Sequence, residues 1–294
     1  DKLNMYSSKV EFEGLSFTVD PIDRVNSDEK SNVMAIFYEE QPLMWLILKD
    51  FISFAIKSIN CEYNFLDVGC GSGFWALLLK NKYNGQVKAI DKSIRAIEFT
   101  KTNAQNNNLN IEVVHEEYSI DTISHNSVKV IGIYPPYHIY PNEIKSFIPL
   151  HARGGSDGQD EFKNQLKIAS HHIAPNGIII FNMMCLGDNN QPSYVNYYKR
   201  IMDKEFSLHY TDIFNPINSK EFLQGVYSNH YSDFVNSIHN QYPMIYYTTG
   251  YFINDGLEKV VKFQHNENLK NRKWDDRILL HREIANHAKG KKYE

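Results

Sequence analysis

Phe65-Leu66-Asp67-Val68-Gly69-Cys70-Gly71-Ser72-Gly73 is the stretch on which the reading of this 294-residue chain turns. It closes an apolar run, Tyr63 to Val68, and then puts glycine at alternate positions. There the backbone turns tightly and can approach a ligand that a Cβ would strike. From Phe74 to Lys82 apolar residues recur three and four apart, as on a helix. Asp91 follows Gly73 by 18 residues, at the end of a second apolar run, Val87 to Ile90. An acid in that place accepts hydrogen bonds from both hydroxyls of a ribose. A dinucleotide loop would read G-x-G-x-x-G, but Phe74 stands where its last glycine would be, so a pyrophosphate fits less well. A plain βα turn would explain the glycines but not their conjunction with strand, helix and Asp91.

Outward from the loop, short β-branched runs alternate with helical patterns, the signature of a parallel α/β sheet. The expected strands are Tyr63 to Val68, Val87 to Ile90, Ile111 to Val114, Val128 to Ile133 and Gly177 to Phe181. The expected helices are Phe74 to Lys82, Ser93 to Asn107 with Ser93 as N-cap, and Gln159 to Ile173. Two later runs, Phe206 to Phe214 and Met244 to Asn254, read as a terminal antiparallel pair. The roughly thirty residues between them are too many for a hairpin loop. Phe222, Leu223, Val226, Phe234, Val235 and Ile238 predict one or two helices in that insertion, placed over the ligand crevice. Pro42 to Ile59 reads as an amphipathic helix, because Lys49, Asp50 and Lys57 interrupt its apolar run and would be costly inside a bilayer. The expected organisation is an N-terminal segment over 1–60 capping the substrate, a cofactor-binding domain over 61–254 with an insertion at 215–243, and a helical tail over 255–294. That tail's helix, around Trp274, Ile278, Ile284 and Ala288, is expected to dock on its own domain. No internal repeat is present.

Composition narrows the function classes. With 42% hydrophobic and 13% aromatic residues the chain is neither disordered nor collagenous. The formal net charge of -4 argues against coating nucleic acid by bulk charge. The segment 255–294 carries +3 and the rest -7, so the tail is where a polyanion would dock; yet Lys270, Arg272, Lys273 and Arg277 are interleaved with acids and form no persuasive basic stripe. Cys61, Cys70 and Cys185 form neither a disulfide framework nor a metal knuckle, and the first residues lack a secretory apolar core, so a reducing, cytoplasmic setting is expected. The twelve histidines show no H-E-x-x-H spacing, and no metal is expected.

The order LDVGCGSG, AIDKS and a proline-rich loop after the fourth strand resembles the class I S-adenosylmethionine (SAM) dependent methyltransferases. Ile90 to Ser93, Arg95 to Ile97, Thr102 to Asn107 and Ile111 to Tyr118 resemble the corresponding stretch of the release-factor glutamine N-methyltransferases and their N6-adenine relatives. The likeness resumes at Ile148 to Gly158, similar to that group's G-G-x-D-G loop, and runs on to Met183. It implies a Rossmann-like class I fold, mostly parallel with helices on both faces, and methyl transfer from SAM to give S-adenosylhomocysteine. By resemblance Asp91 meets the ribose, Glu117 the adenine with Tyr118 beside it, and Asp67 the methionine end; Gly69, Cys70, Gly71, Gly73 and Lys92 complete the cofactor set.

Ile133-Tyr134-Pro135-Pro136-Tyr137-His138 ends the fourth strand where that group has N-P-P-Y, or Asp in the first position in some DNA enzymes. Paired prolines stiffen such a loop, the amide oxygen and a nearby carbonyl accept the two N–H bonds of a planar amine, and the aromatic ring packs on the substrate. Tyr134 replaces the Asn, and a phenol cannot place an acceptor two bonds from Cβ. Three readings stay open: other groups hold the amine, the acceptor is of another kind, or transfer is lost. The intact cofactor side favours the first two. His138 is a candidate base for an aliphatic amine. Met34, Phe37, Tyr38 and Trp45 are candidates to line or cover the pocket, although such residues are more often core. The expectation is N-methylation of a small molecule or a protein side chain. The alternatives are adenine N6 in RNA or DNA and a SAM-binding protein without turnover.

Overall fold

A computed structural model describes residues 8–20, 36, 40–58, 60–265 and 274–293. The strands of the sheet, β3 (Tyr63–Val68), β4 (Val87–Asp91), β5 (Glu112–His115), β6 (Val128–Ile133) and β7 (Ile173–Gly187), all run parallel. Between them lie α2 (Phe74–Tyr83), α3 (Ile94–Asn106) and α4 (Asp160–His172). Ser93 caps α3 as expected, its hydroxyl accepting from Ala96 N at 3.4 Å. The antiparallel pair is also present: β10 (Met244–Ile253) runs against both β7 and β8 (Ser207–Asp212), giving the order β11-β8-β10-β7-β6-β3-β4-β5 with β11 at Val260–Lys262 and the short β9 (Ile217–Asn218) paired to the start of β10. The fold is the Rossmann-like, mostly parallel sheet.

The order reverses at β3, whose successor β4 lies on one side and β6 on the other. A crevice therefore opens at the carboxyl ends of β3, β4 and β6, where ligands of open α/β sheets bind. Each face of the sheet has its own core. Phe65, Val130 and Ile180 pack with Trp45 and Ile52 of α1 (Gln41–Ser58) and with Trp75 of α2. Leu66, Ile131 and Phe181 point the other way, against Phe162 and Leu166 of α4.

Four features depart from the sequence expectations. β7 is 15 residues long where five were expected, because its far half pairs with β10. An N-terminal hairpin, β1 (Ser8–Phe12) and β2 (Leu15–Val19), turns at Glu13 and Gly14, both with positive φ; its signal, alternating apolar residues around a Glu-Gly turn, was present in the sequence. The α5 helix (Tyr194–Ile201) was not expected at all. Finally, the insertion does form two helices, α6 (Ser219–Tyr227) and α7 (Ser232–Gln241), but neither lies over the crevice. α7 packs on α6, and α6 backs α8 (Asp275–Tyr293), which docks on its own domain through Trp274, Ile284 and Ala288 against Phe222, Leu223 and Val226. It is α8 that covers the crevice, because Leu280, His281 and Ile284 face it.

Candidate functional site

A cavity of about 250 Å³ occupies the crevice. Its first half is built by the β3 loop. Gly69, Gly71 and Gly73 have φ of 70°, 55° and 81°, a region L side chains rarely enter, so only glycine lets the loop curl this tightly. Asp91 braces the curl, one carboxylate oxygen accepting from Gly71 N at 3.1 Å and the other from Ser93 N at 2.8 Å. Burial raises its pKa while these two bonds oppose the rise. Asp67 accepts from Ala76 N at 2.9 Å through one oxygen; the other is buried and unpartnered. Burial pushes this carboxyl up to about 7, so a cation beside it would restore its charge.

Cys70 lines the same wall, its Sγ 3.3 Å from Thr100 Oγ1, and burial holds its thiol protonated. Lys92 stands at the rim, 4.0 Å from Glu161. Tyr118 is fixed by its hydroxyl, 3.0 Å from His172 Nδ1. Glu117 also lines the cavity but is exposed; the buried, unpartnered carboxylate oxygen here belongs to its neighbour Glu116. The sequence offers two adjacent acids and no signal to choose between them.

The second half is built by the loop after β6. Tyr134 folds back over the sheet, its ring stacked on Trp75 at 5.6 Å with 6° between planes, and a Cβ at Gly132 would collide with its hydroxyl. That hydroxyl is buried, unpartnered and held protonated by burial, with the nearby Asp67 adding to the effect. Pro135 and Pro136 carry the chain along the cavity wall to Tyr137, whose hydroxyl donates to Glu40 Oε1 at 2.7 Å. Arg277 of α8 reaches the same oxygen at 2.6 Å and lies over the Tyr247 ring. A cation, a carboxylate and two phenols thus bolt four distant parts of the chain together.

His138 is a correction to the sequence reading, because neither of its ring nitrogens is open. Nδ1 lies 2.6 Å from His281 Nδ1 and Nε2 lies 3.3 Å from the Tyr227 hydroxyl. Tyr227 donates its own proton to Ile139 O at 2.6 Å, so His138 Nε2–H must be the donor to it, and His281 Nδ1–H the donor to His138. Burial holds His138 at about 3 and His281 well below its usual range, keeping both neutral. His138 therefore anchors α8. The open imidazole is His151, missed from the sequence: both its nitrogens are buried and unpartnered at the cavity wall, and burial lowers it to about 4.

From the N-terminal segment, Gln41 and Met44 line the cavity, whereas Trp45 is turned into the core against Trp75. Met34, Phe37 and Tyr38 lie outside the described residues. Among the described residues no group of three or more His, Cys, Asp or Glu is placed to hold a metal ion, and no helix is long and apolar enough to cross a membrane.

A glycine loop, an acid at the end of β4 and a stiff proline loop converge at the switch point. Residues 54–148 match the methyltransferase small domain family. No curated protein matches the sequence. Among solved structures the chain is similar to Trm5b from Pyrococcus abyssi, at 14% identity over 85% of this chain and 56% of that one, with a TM-score of 0.47. It is also similar to a methyltransferase from Pyrococcus furiosus, at 17% identity over 71% and 82% with a TM-score of 0.41. A third is geranyl diphosphate C-methyltransferase from Streptomyces coelicolor, with S-adenosyl-L-homocysteine bound, at 11% identity over 81% and 90% with a TM-score of 0.41.

Proposed function

We propose that the chain N-methylates a small molecule. One observation carries the reading: the proline loop and the glycine loop face a single cavity whose roof is the chain's own α8. A groove for a nucleic-acid duplex would be open and basic, whereas here Leu280, His281 and Ile284 close it and Arg277 is bound to Glu40.

SAM supplies an electrophilic methyl group on a sulfonium. Asp67 would meet its cationic methionine end with the free oxygen, while the backbone of Gly69, Cys70, Gly71 and Gly73 follows its length and Asp91 takes the ribose hydroxyls. Lys92, Glu117 and Tyr118 bound the adenine end, joined by Glu116. Across the cavity Pro135, Pro136 and Tyr137 fix the acceptor's approach, and Tyr134 on Trp75 supports them from below. Rate comes mainly from holding the nitrogen lone pair in line with the methyl carbon in a site from which α8 excludes water. As an N–C bond formed and the C–S bond broke, the nitrogen would gain positive charge, and His151, neutral and unpartnered, would take the proton it sheds.

Incubation with radiolabelled-methyl SAM and cell extract, fractionated into small molecules, protein and nucleic acid, tests this. Label in the small-molecule fraction is expected. Label only in nucleic acid or protein would overturn the small acceptor, and no label anywhere would favour a SAM-binding protein without turnover.

A further inference from the structure

Asn182 was not among the residues expected at the site. It lies on β7 one position past the last in-register pair with β6, where Ile133 sits beside Phe181. Tyr134 is likewise one past Ile133, so the two are neighbours across adjacent parallel strands. They share a face, because Ile180 and Tyr134 pack in the core with Trp75 while Ile133 and Phe181 point to the other side. Asn182 is 6% exposed, lines the cavity, and has both its amide oxygen and its amide nitrogen buried without a partner. Its neighbour on the other side, Thr249, does not serve it, since that hydroxyl donates to Phe181 O at 2.9 Å. A buried amide with neither atom satisfied is rare and costly in a folded chain unless a ligand completes it.

We infer that Asn182 grips the methyl acceptor, and that the acceptor presents a planar edge with an N–H donor beside an acceptor atom, as in a carboxamide or an aminopyridine-type ring. The inference rests on the N-methylation reading above. The amide oxygen takes the acceptor's N–H and the amide N–H₂ gives to its neighbouring oxygen or ring nitrogen, two parallel bonds that fix the plane of the reacting nitrogen. The amide that the loop lacks at Tyr134 is thereby supplied one strand over. Asn182 holds one of the nitrogen's hydrogens and so fixes the plane in the cavity, and the lone pair, perpendicular to that plane by conjugation, would face the cofactor half.

The test uses the full chain saturated with S-adenosylhomocysteine and four fragments: benzamide and 2-aminopyridine, which carry the paired edge, and N,N-dimethylbenzamide and aniline, which do not. Binding is read by ligand-observed NMR. The first two are expected to bind at least tenfold more tightly than the second two, with the preference lost in Asn182→Leu and S-adenosylhomocysteine affinity by calorimetry unchanged. Equal binding of all four, no binding of any, or a preference that survives in Asn182→Leu would each overturn the inference. Asn182→Asp, which keeps the oxygen and loses the donor, is expected to retain less than a third of the preference; full retention would overturn the two-bond grip. The extract assay separates the two readings. Label transfer by wild type with an equal rate in Asn182→Leu sinks Asn182 alone, whereas no transfer by wild type sinks N-methylation.

Discussion

The two halves of the cavity are made in opposite ways. The cofactor half comes from one short stretch: Asp67 to Gly73 and Asp91 sit at the ends of adjacent strands, tied by main-chain bonds from Gly69 N and Cys70 N to Ile90 O and by the Asp91 carboxylate, which accepts from Gly71 N. The acceptor half is gathered from Gln41, Tyr137, His151, Asn182 and His281, and is held by side chains that meet across most of the chain, as Arg277 meets Glu40 over 237 positions. Main-chain bonds make the first half insensitive to most substitutions other than those at its positive-φ glycines and at Asp91. The second half depends on a few buried polar contacts, so single changes there should unfasten it while leaving the cofactor in place.

The largest effect is expected at the bolt. Arg277→Ala leaves the part-buried Glu40 without its cation, held only by Tyr137, and should cost about 2–4 kcal/mol in denaturant unfolding, with SAM affinity by calorimetry changed less than threefold; an equal loss of SAM affinity would break the division into halves. Acid should loosen the same roof. His138, His151 and His281 are all held below their usual range, so the stability they contribute is full above about pH 6.5 and lost as pH falls toward 4. Faster hydrogen exchange in α8 than in β3 across that window checks it.

Next comes Asp91→Ala, which frees Gly71 N and Ser93 N and removes the ribose acceptor. SAM binding should weaken by about 2–3 kcal/mol, roughly the worth of one charged hydrogen-bonding group, and unchanged affinity in calorimetry would refute the assignment. A smaller effect follows from Asp67. With its carboxyl near 7 the free protein carries it increasingly protonated as pH falls, and a cation binds the ionised form. SAM affinity should therefore drop by up to about tenfold per pH unit below 7, and Asp67→Asn should flatten that slope. The smallest effect is expected at the hairpin, where Lys82 and Glu13 pair at 2.7 Å, each about a third exposed. Lys82→Ala should change stability by less than about 1 kcal/mol, as exposed pairs do, and SAM binding not at all.

The same division explains what the sequence discloses. Strand, glycine turn, helix and Asp91 are local patterns, and they locate the fold and the glycine-loop wall of the cavity because that wall is built by neighbours in sequence. The reversed strand pair was legible too, since Phe206 to Phe214 and Met244 to Asn254 lack an intervening helix of a parallel unit. Asn182 was hidden inside an apolar strand, and His151 inside a loop quoted only for its glycines; each gains meaning only from which side of the sheet or cavity it faces. His138 shows the converse, a residue whose position in a motif suggested chemistry and whose two nitrogens are instead tied to Tyr227 and His281.

The 237-position span of the Glu40 to Arg277 contact also sets an order of events in synthesis. A growing chain has its β3 loop, β4 and β6 complete long before residue 277 leaves the ribosome, and contacts so far apart in sequence are the slow ones to form. The nascent protein is thus built with its glycine loop early and its roof last, so the crevice stays uncovered until the C-terminal helix docks.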